Sequence, residues 1–238
     1  MCNLFFVTFT EVNPYMNKRQ KTALVLNCVI VAFTIFATIC VILGFKFMQD
    51  ISILSEKNFK SFRYFTIQSN LLAAIVALVY IIFKCSPAGK NCEKLPAWLY
   101  LVKLAATTAV AFTMFITVFY LAPTSSKGYF SLFMNSNLFM HFLTPMLCII
   151  SFIFFESAEK TSFKASLVGA IPAALYAAFY TPNVLLHLNN GKPDPAYDWY
   201  HFLAFGLNTI WIVIPLLLLI SWCLALGIWA SNKKLASK

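Results

Sequence analysis

Acidic residues are scarce in this chain, eight among 238 against 18 Lys and Arg, and charged residues of both signs make up only 11%. A soluble domain carries about a quarter charged residues, so with 61% of its residues hydrophobic the chain is read as an integral membrane protein rather than a soluble domain. Glycine is thin as well, seven in all, and no Gly-rich run exists that could cradle a phosphate. The chain has only three histidines. None forms an i, i+4 pair, so a metal site built from His141, His187 and His201 is a weak alternative, and neither metal nor cofactor is expected. Seven cysteines give no disulfide framework, because Cys28, Cys40, Cys148 and Cys223 lie in apolar runs as small hydrophobes. Cys85 and Cys92 share a loop, but their spacing fits no zinc or redox motif, and both are expected to stay free thiols.

What the chain has instead is long apolar runs, six of them, at Thr22–Phe47, Phe62–Phe83, Pro96–Leu121, Asn137–Phe155, Phe163–Thr181 and His201–Trp229. Each can cross a bilayer at about 1.5 Å per residue. The expected fold is all-α: a polytopic membrane protein with six transmembrane helices in one bundle over residues 22–230. Residues 1–21 precede it and a basic tail, 231–238, follows. Residues 1–15 read as an upstream translation artefact, since Met16-Asn-Lys-Arg-Gln-Lys looks more like a natural start. The net charge of +10 comes from short clusters flanking the apolar runs, which is membrane orientation and not nucleic-acid binding. Placing both termini in the cytosol puts eleven Lys and Arg on the inner side and six on the outer, the positive-inside arrangement. Lys103 falls within the third run, where it is expected to snorkel to the inner surface.

Polar residues inside these runs are costly and therefore informative. The stretch FRYFTIQSNLLAAIVA, Phe62–Ala77, places Arg63, Thr66, Ser69, Asn70, Ala73, Ala74 and Ala77 on one helical stripe, which should face protein. Asn137, His141 and Thr144 share a face at the outer start of the fourth run, and Tyr176, Tyr180 and Asn183 end the fifth on the same side. His187 and His201 follow there. Such convergence suits a pocket open to the outer leaflet. Thr66 is a nucleophile if a base takes its proton, and His141 is the candidate base. Arg63, Ser69, Asn70, Asn137 and Tyr180 are candidates to bind substrate or steady an oxyanion. Asp198 is the one outer acid placed to orient His141. Ala165, Gly169, Ala173 and Ala177 form a small-residue row, read as helix packing.

Two segments carry a resemblance. FRYFTIQSN and NLFMHFLTPMLCIISFIFFE resemble the nucleophile and histidine segments of the family of the androgen-induced protein and the androgen-dependent TFPI-regulating protein, multi-pass membrane threonine hydrolases. The second segment shares an Asn four residues before the His, a Met just before it, a Pro soon after and a Glu at the helix end. The resemblance, to a bacterial relative of that family in the cell membrane, implies Thr66 as nucleophile and His141 as base. It implies as substrates membrane lipids of the class of fatty acid esters of hydroxy fatty acids. The chain departs from the family in the polar run Gln68-Ser69-Asn70 and in a longer last outer loop. The competing reading is a small transporter or lipid-binding membrane protein using the same outer cavity without chemistry. A polar path reaching the inner face would favour transport, and a blind apolar pocket ending at Thr66 would favour hydrolysis or lipid binding.

Overall fold

A computed structural model describes residues 16–48, 58–159 and 161–236; residues 1–15, and most of the first outer loop, lie outside the described residues. Six helices are long and apolar enough to cross a membrane: α1 Lys18–Leu43, α2 Phe65–Cys85, α3 Ala97–Leu121, α4 Ser136–Phe155, α5 Phe163–Leu186 and α6 Leu207–Leu235. The chain is an all-α, multi-pass integral membrane protein. After six crossings the two described ends lie on one face, which the Lys and Arg count makes the inner one.

Helix α3 is the axis of the bundle. Its most apolar window is 61% buried, against 22% and 11% for α5 and α6, and it packs on α2, α4, α5 and α6. Its sequence explains this position, since Ala106, Thr107, Thr108, Ala109 and Ala111 are small enough to let neighbours approach from every side. Gly169 of α5 meets α3 and α6 so closely that a Cβ there would stand 2.3 Å from Ala225 Cβ. Helix α1 packs on α2 and α4. Two apolar layers cross this side of the bundle: an outer one of Ala37, Val41, Ile67 and Met140, and a middle one of Ile30, Ala73, Ala77, Val110 and Cys148.

Several boundaries differ from the sequence expectation, each for a local reason. Helix α1 starts at Lys18, not Thr22, because Asn17 and Gln20 form a reciprocal capping box with hydrogen bonds of 2.9 and 3.0 Å. It ends at Leu43, not Phe47, where Gly44 turns left-handed at φ 66 and the Phe45 N–H folds back onto the Cys40 carbonyl. Helix α2 begins at Phe65 because Asn58–Arg63 is a tighter 3-10 helix and Tyr64 is extended, so Thr66 lies in its first turn. Helix α5 continues through Pro182 to Leu186, since a proline inside a transmembrane helix is tolerated. Helix α6 starts at Leu207, not His201. The preceding chain is held in turns by Asp198, whose Oδ2 accepts the Leu203 N–H at 3.1 Å, and by positive φ at His201 and Gly206. The basic tail is still helical to Ala236.

Lys103 does not snorkel. Its ammonium lies 3.0 Å from Glu156 Oε1 and 2.6 Å from Asn27 Oδ1, and both charged side chains are buried. Ser151 and Asn27 also donate to the same carboxylate oxygen. An ammonium that finds a carboxylate and an amide inside the bundle has no reason to extend toward water.

Candidate active site in the outer half

The site begins with a proline. Phe139–Leu143 winds as a π turn, with the Thr144 N–H reaching the Phe139 carbonyl five residues back. In that register the Met140 carbonyl would take its hydrogen bond from residue 145, which is Pro145 and has no N–H. The freed carbonyl is claimed by α2: Asn70 Nδ2 donates to it at 3.0 Å and to the Thr66 carbonyl at 2.8 Å. One buried amide therefore fixes the Thr66 turn against the turn that carries His141.

His141 is buried, and its Nδ1 lies 2.8 Å from the Leu132 carbonyl. A carbonyl can only accept, so Nδ1 carries the proton and the ring's free lone pair is on Nε2. This is the tautomer a general base needs, set by a backbone oxygen. Asp198 does not orient His141. Its Oδ1 is bound by the Tyr180 hydroxyl and its Oδ2 by the Leu203 N–H, so it secures the last outer loop to α5.

Thr66 stands at the N-terminus of α2, where backbone N–H groups lack helical partners. Tyr64, the N-cap residue, supplies no side-chain cap. The Tyr200 hydroxyl does so from the last outer loop, accepting the Phe65 N–H at 2.9 Å and lying against the Thr66 N–H and hydroxyl. Burial pushes the Tyr200 phenol up to about 12, opposed by its contacts with Thr66, Phe65 and Tyr176, so it keeps its proton at neutral pH. Thr66 also lines a narrow cleft of about 50 Å³ between α2, α3, α5 and α6, where a single water needs ~10–15 Å³ on that measure. Apart from a few hydroxyls its walls are apolar: Phe65, Phe112, Ile116, Ala173, Ala177 and Leu217 among them. The small-residue row of α5 is thus split, with Gly169 in tight helix contact and Ala173 and Ala177 facing the cleft.

The remaining candidates separate into two groups. Ser69 and Asn70 stay beside Thr66: Ser69 Oγ bonds Thr113 Oγ1 at 2.9 Å and the Thr66 carbonyl at 3.1 Å. Asn137 is buried on α4, and its Oδ1 has no hydrogen-bond partner among the described residues. Tyr180 lines the cleft. Arg63 is directed elsewhere, its guanidinium packed 4.8 Å from the Trp199 ring and bonded to the Ala196 carbonyl, where it fastens the outer loop. His187 stacks on Tyr197 at 3.8 Å and His201 is exposed. No cluster of three His, Cys, Asp or Glu able to hold a metal occurs among the described residues. Thr66 and His141 belong to facing turns, yet no hydrogen bond joins them among the described residues.

Reading the sequence missed Tyr200, Thr113 and Thr117, which also line the cleft. Tyr200 had no signal, since an aromatic at a membrane boundary is expected on other grounds. Compared with protein-family models, curated proteins and solved structures, the chain matches none.

Proposed function

We propose that the protein hydrolyses fatty acid esters of membrane lipids, with Thr66 as nucleophile and His141 as base. The observation that carries this reading is the position of Thr66, at a helix N-terminus and on the wall of an apolar cleft. In the reaction Thr66 Oγ adds to the ester carbonyl as its proton passes to His141 Nε2. The C–O bond to the alcohol breaks, and the alcohol leaves with that proton. Water then adds to acyl-Thr66, yields a proton through His141 to Thr66, and releases the fatty acid. Negative charge on the carbonyl oxygen develops near the positive end of the α2 dipole and the Tyr200 hydroxyl that caps it. Transport gains less support. Between the polar residues of the outer half and the Lys103–Glu156 cluster lies the buried apolar layer of Ile30, Ala73, Ala77, Val110 and Cys148. The resemblance at residues 62–70 and 137–156 points to the same pair of residues.

A second reading, lipid binding without chemistry, is favoured by the absence of a hydrogen bond between Thr66 and His141 among the described residues. One experiment separates the two. Purified protein is treated with a fluorophosphonate bearing a long alkyl chain and, separately, assayed on a fatty acid ester of a hydroxy fatty acid. Hydrolysis requires labelling that Thr66→Ala abolishes and turnover that His141→Ala lowers by about 10² or more. Labelling equal in wild type and both variants leaves lipid binding alone.

A further inference from the structure

Helices α5 and α6 meet along their inner halves and part along their outer ones. Inward, Gly169 lies against Ala225, and Trp222 and Trp229 donate to Ser166 and Thr161 at 3.2 and 3.0 Å. Ser221 Oγ donates to the Gly169 carbonyl at 3.4 Å, the last hydrogen bond between the two helices on the way outward among the described residues. On α6 the buried stripe of Ser221, Ala225, Ile228, Trp229 and Asn232 also stops there. Its outward continuation, Ile214, Leu217 and Leu218, lines the cleft and is only half-buried, and no residue from 207 to 220 is buried. The helices touch again at the outer end, where Ile210 packs on the cluster of Tyr180, Val184 and Leu203. The gap from Ile210 to Ser221, at about 1.5 Å per residue, matches the depth of one leaflet, half of a ~30 Å hydrocarbon core. Trp211, 82% exposed, marks its outer limit as an interfacial aromatic. Within the gap Pro215 has no N–H to give the Trp211 carbonyl, so α6 can bend there.

The other sides of the cleft are shut. Its α2 and α3 walls, Phe65, Thr66, Phe112, Thr113, Ile116 and Thr117, are all buried. Below, Gly169 closes on Ala225 and Thr108. Toward the outer water lies the loop 198–203, whose Tyr200 and Phe202 line the cleft. That loop is fastened to three helices: to α2 by Tyr200 on the Phe65 N–H, to α3 by Tyr120, whose ring packs 5.7 Å from Phe202, and to α5 by Trp199 Nε1 on the Tyr176 hydroxyl and Tyr180 on Asp198. The side that remains is bordered by half-buried Tyr176 and Ala177 of α5 and the half-buried stripe of α6. Around it the exposed surface is apolar, with Leu175, Phe179, Ile212, Leu216 and Leu219, so what lies against it in the membrane is lipid acyl chain. We infer that the cleft takes its acyl chain sideways, through this window between α5 and α6, from a lipid dissolved in the outer leaflet. Entry from water would break the bonds that hold the loop, whereas entry through the window breaks none. The inference rests on the cleft as an acyl site, which the hydrolase and lipid-binding readings share, and not on chemistry at Thr66. It makes the ligand a lipid resident in the bilayer and not an ester delivered through water.

The test places the full chain in phosphatidylcholine vesicles and irradiates it with either of two diazirines. One is a phosphatidylcholine carrying the group near the end of an acyl chain, held in the bilayer; the other is a water-soluble short-chain amide carrying the same group. The readout is adducts on Thr113, Ile116 and Thr117, located by fragmentation mass spectrometry, since a chain lying on the outer surface does not reach these buried cleft residues. Exposed Ile35 and Ile39 on α1 report lipid contact in general. The phosphatidylcholine is expected to mark the α3 wall. Ala177→Trp and Leu218→Trp, which fill the two banks of the window, should each lower those adducts several-fold and leave those on Ile35 and Ile39 unchanged. Ala174→Trp, on the exposed face of α5, should lower neither. Thermal unfolding checks that each variant is folded, and the comparison of the two diazirines on wild type stands without them. A wall marked by the soluble amide alone, or marked by the phosphatidylcholine equally in wild type and both window variants, overturns lateral entry. A wall marked by neither overturns lateral entry and the acyl cleft together. A wall marked by the phosphatidylcholine in a protein whose Thr66 takes no fluorophosphonate supports the entry route and removes the hydrolase reading.

Discussion

The inner and outer halves of this bundle both bury polar side chains and pair them to different degrees. At the inner end, Lys103, Glu156, Asn27 and Ser151 are joined to one another. Nearby, Asn232 ties α6 to α4 through the Phe152 and Glu156 carbonyls and receives the Tyr100 hydroxyl. In the outer half, Thr34, Thr38, Asn70, Asn137 and Thr144 each keep a polar atom without a partner among the described residues. The inner cluster leaves Glu156 Oε2 without a hydrogen-bond partner among the described residues, but its cross-helix bonds mainly fix how helices pack. The same residue types are thus mostly tied to one another at one end and lie beside the candidate site at the other.

The largest effect expected from breaking this contrast is at the inner cluster. Removing one charge, by Lys103→Leu, strands a buried carboxylate and should cost about 3–5 kcal/mol, seen as loss of folded protein in detergent. The double variant Lys103→Met with Glu156→Leu should recover most of that loss. If the single and double variants are equally unstable, the pair is not the fastening that the geometry indicates.

A smaller effect is expected in the outer half, on ligand rather than on fold. Ala173→Phe places a ring in the cleft, displacing two or three methylenes of a bound chain at about 0.8 kcal/mol each. Apparent affinity for a decanoyl ester should fall about tenfold or more, while an acetyl ester, which offers no chain to displace, should lose far less. A parallel loss on both esters would mean a damaged fold, and no loss on either would place the acyl chain elsewhere.

The smallest concerns Tyr200, which caps α2 from the loop. Tyr200→Phe removes that cap and should cost about 1 kcal/mol at neutral pH. The folded phenol is raised from 10.0 to about 12, so the folded state holds this proton more tightly than the unfolded chain. The stability it contributes is complete below pH ~10 and is lost as pH rises toward ~12. Unfolding followed against pH should therefore show an alkaline decline that is shallower in Tyr200→Phe. An identical decline in both proteins would remove Tyr200 as its source.

Much of the fold is legible in the sequence because a bilayer leaves the backbone few choices. Apolar runs of this length have to be helices, so six crossings and their approximate limits follow from hydropathy. Where the limits shifted, the cause was a side chain or turn acting locally. The Asn17 and Gln20 capping box was readable in principle, while the cap on α2 was not, because it comes from Tyr200, 135 residues away in sequence. The Thr66 stripe was readable as a buried face, and the structure buries Thr66, Ser69, Asn70, Ala73, Ala74 and Ala77. That face is wider than periodicity implied, since Phe65 is buried too, against Phe112 and Tyr176.

By itself, then, the sequence determined the solvent and the secondary structure, since composition and run length alone decide both for a membrane chain. It also marked Thr66, Asn70 and His141 as groups that need a reason to lie in lipid. The tertiary structure decided what each polar group meets. It turned Lys103 inward to Glu156, gave Asp198 to Tyr180 instead of His141, aimed Arg63 at Trp199, and let Pro145 free the Met140 carbonyl for Asn70. Periodicity reports which side of a helix a residue occupies, but a hydrogen bond depends on the neighbour across the interface, which only the packing of the helices supplies.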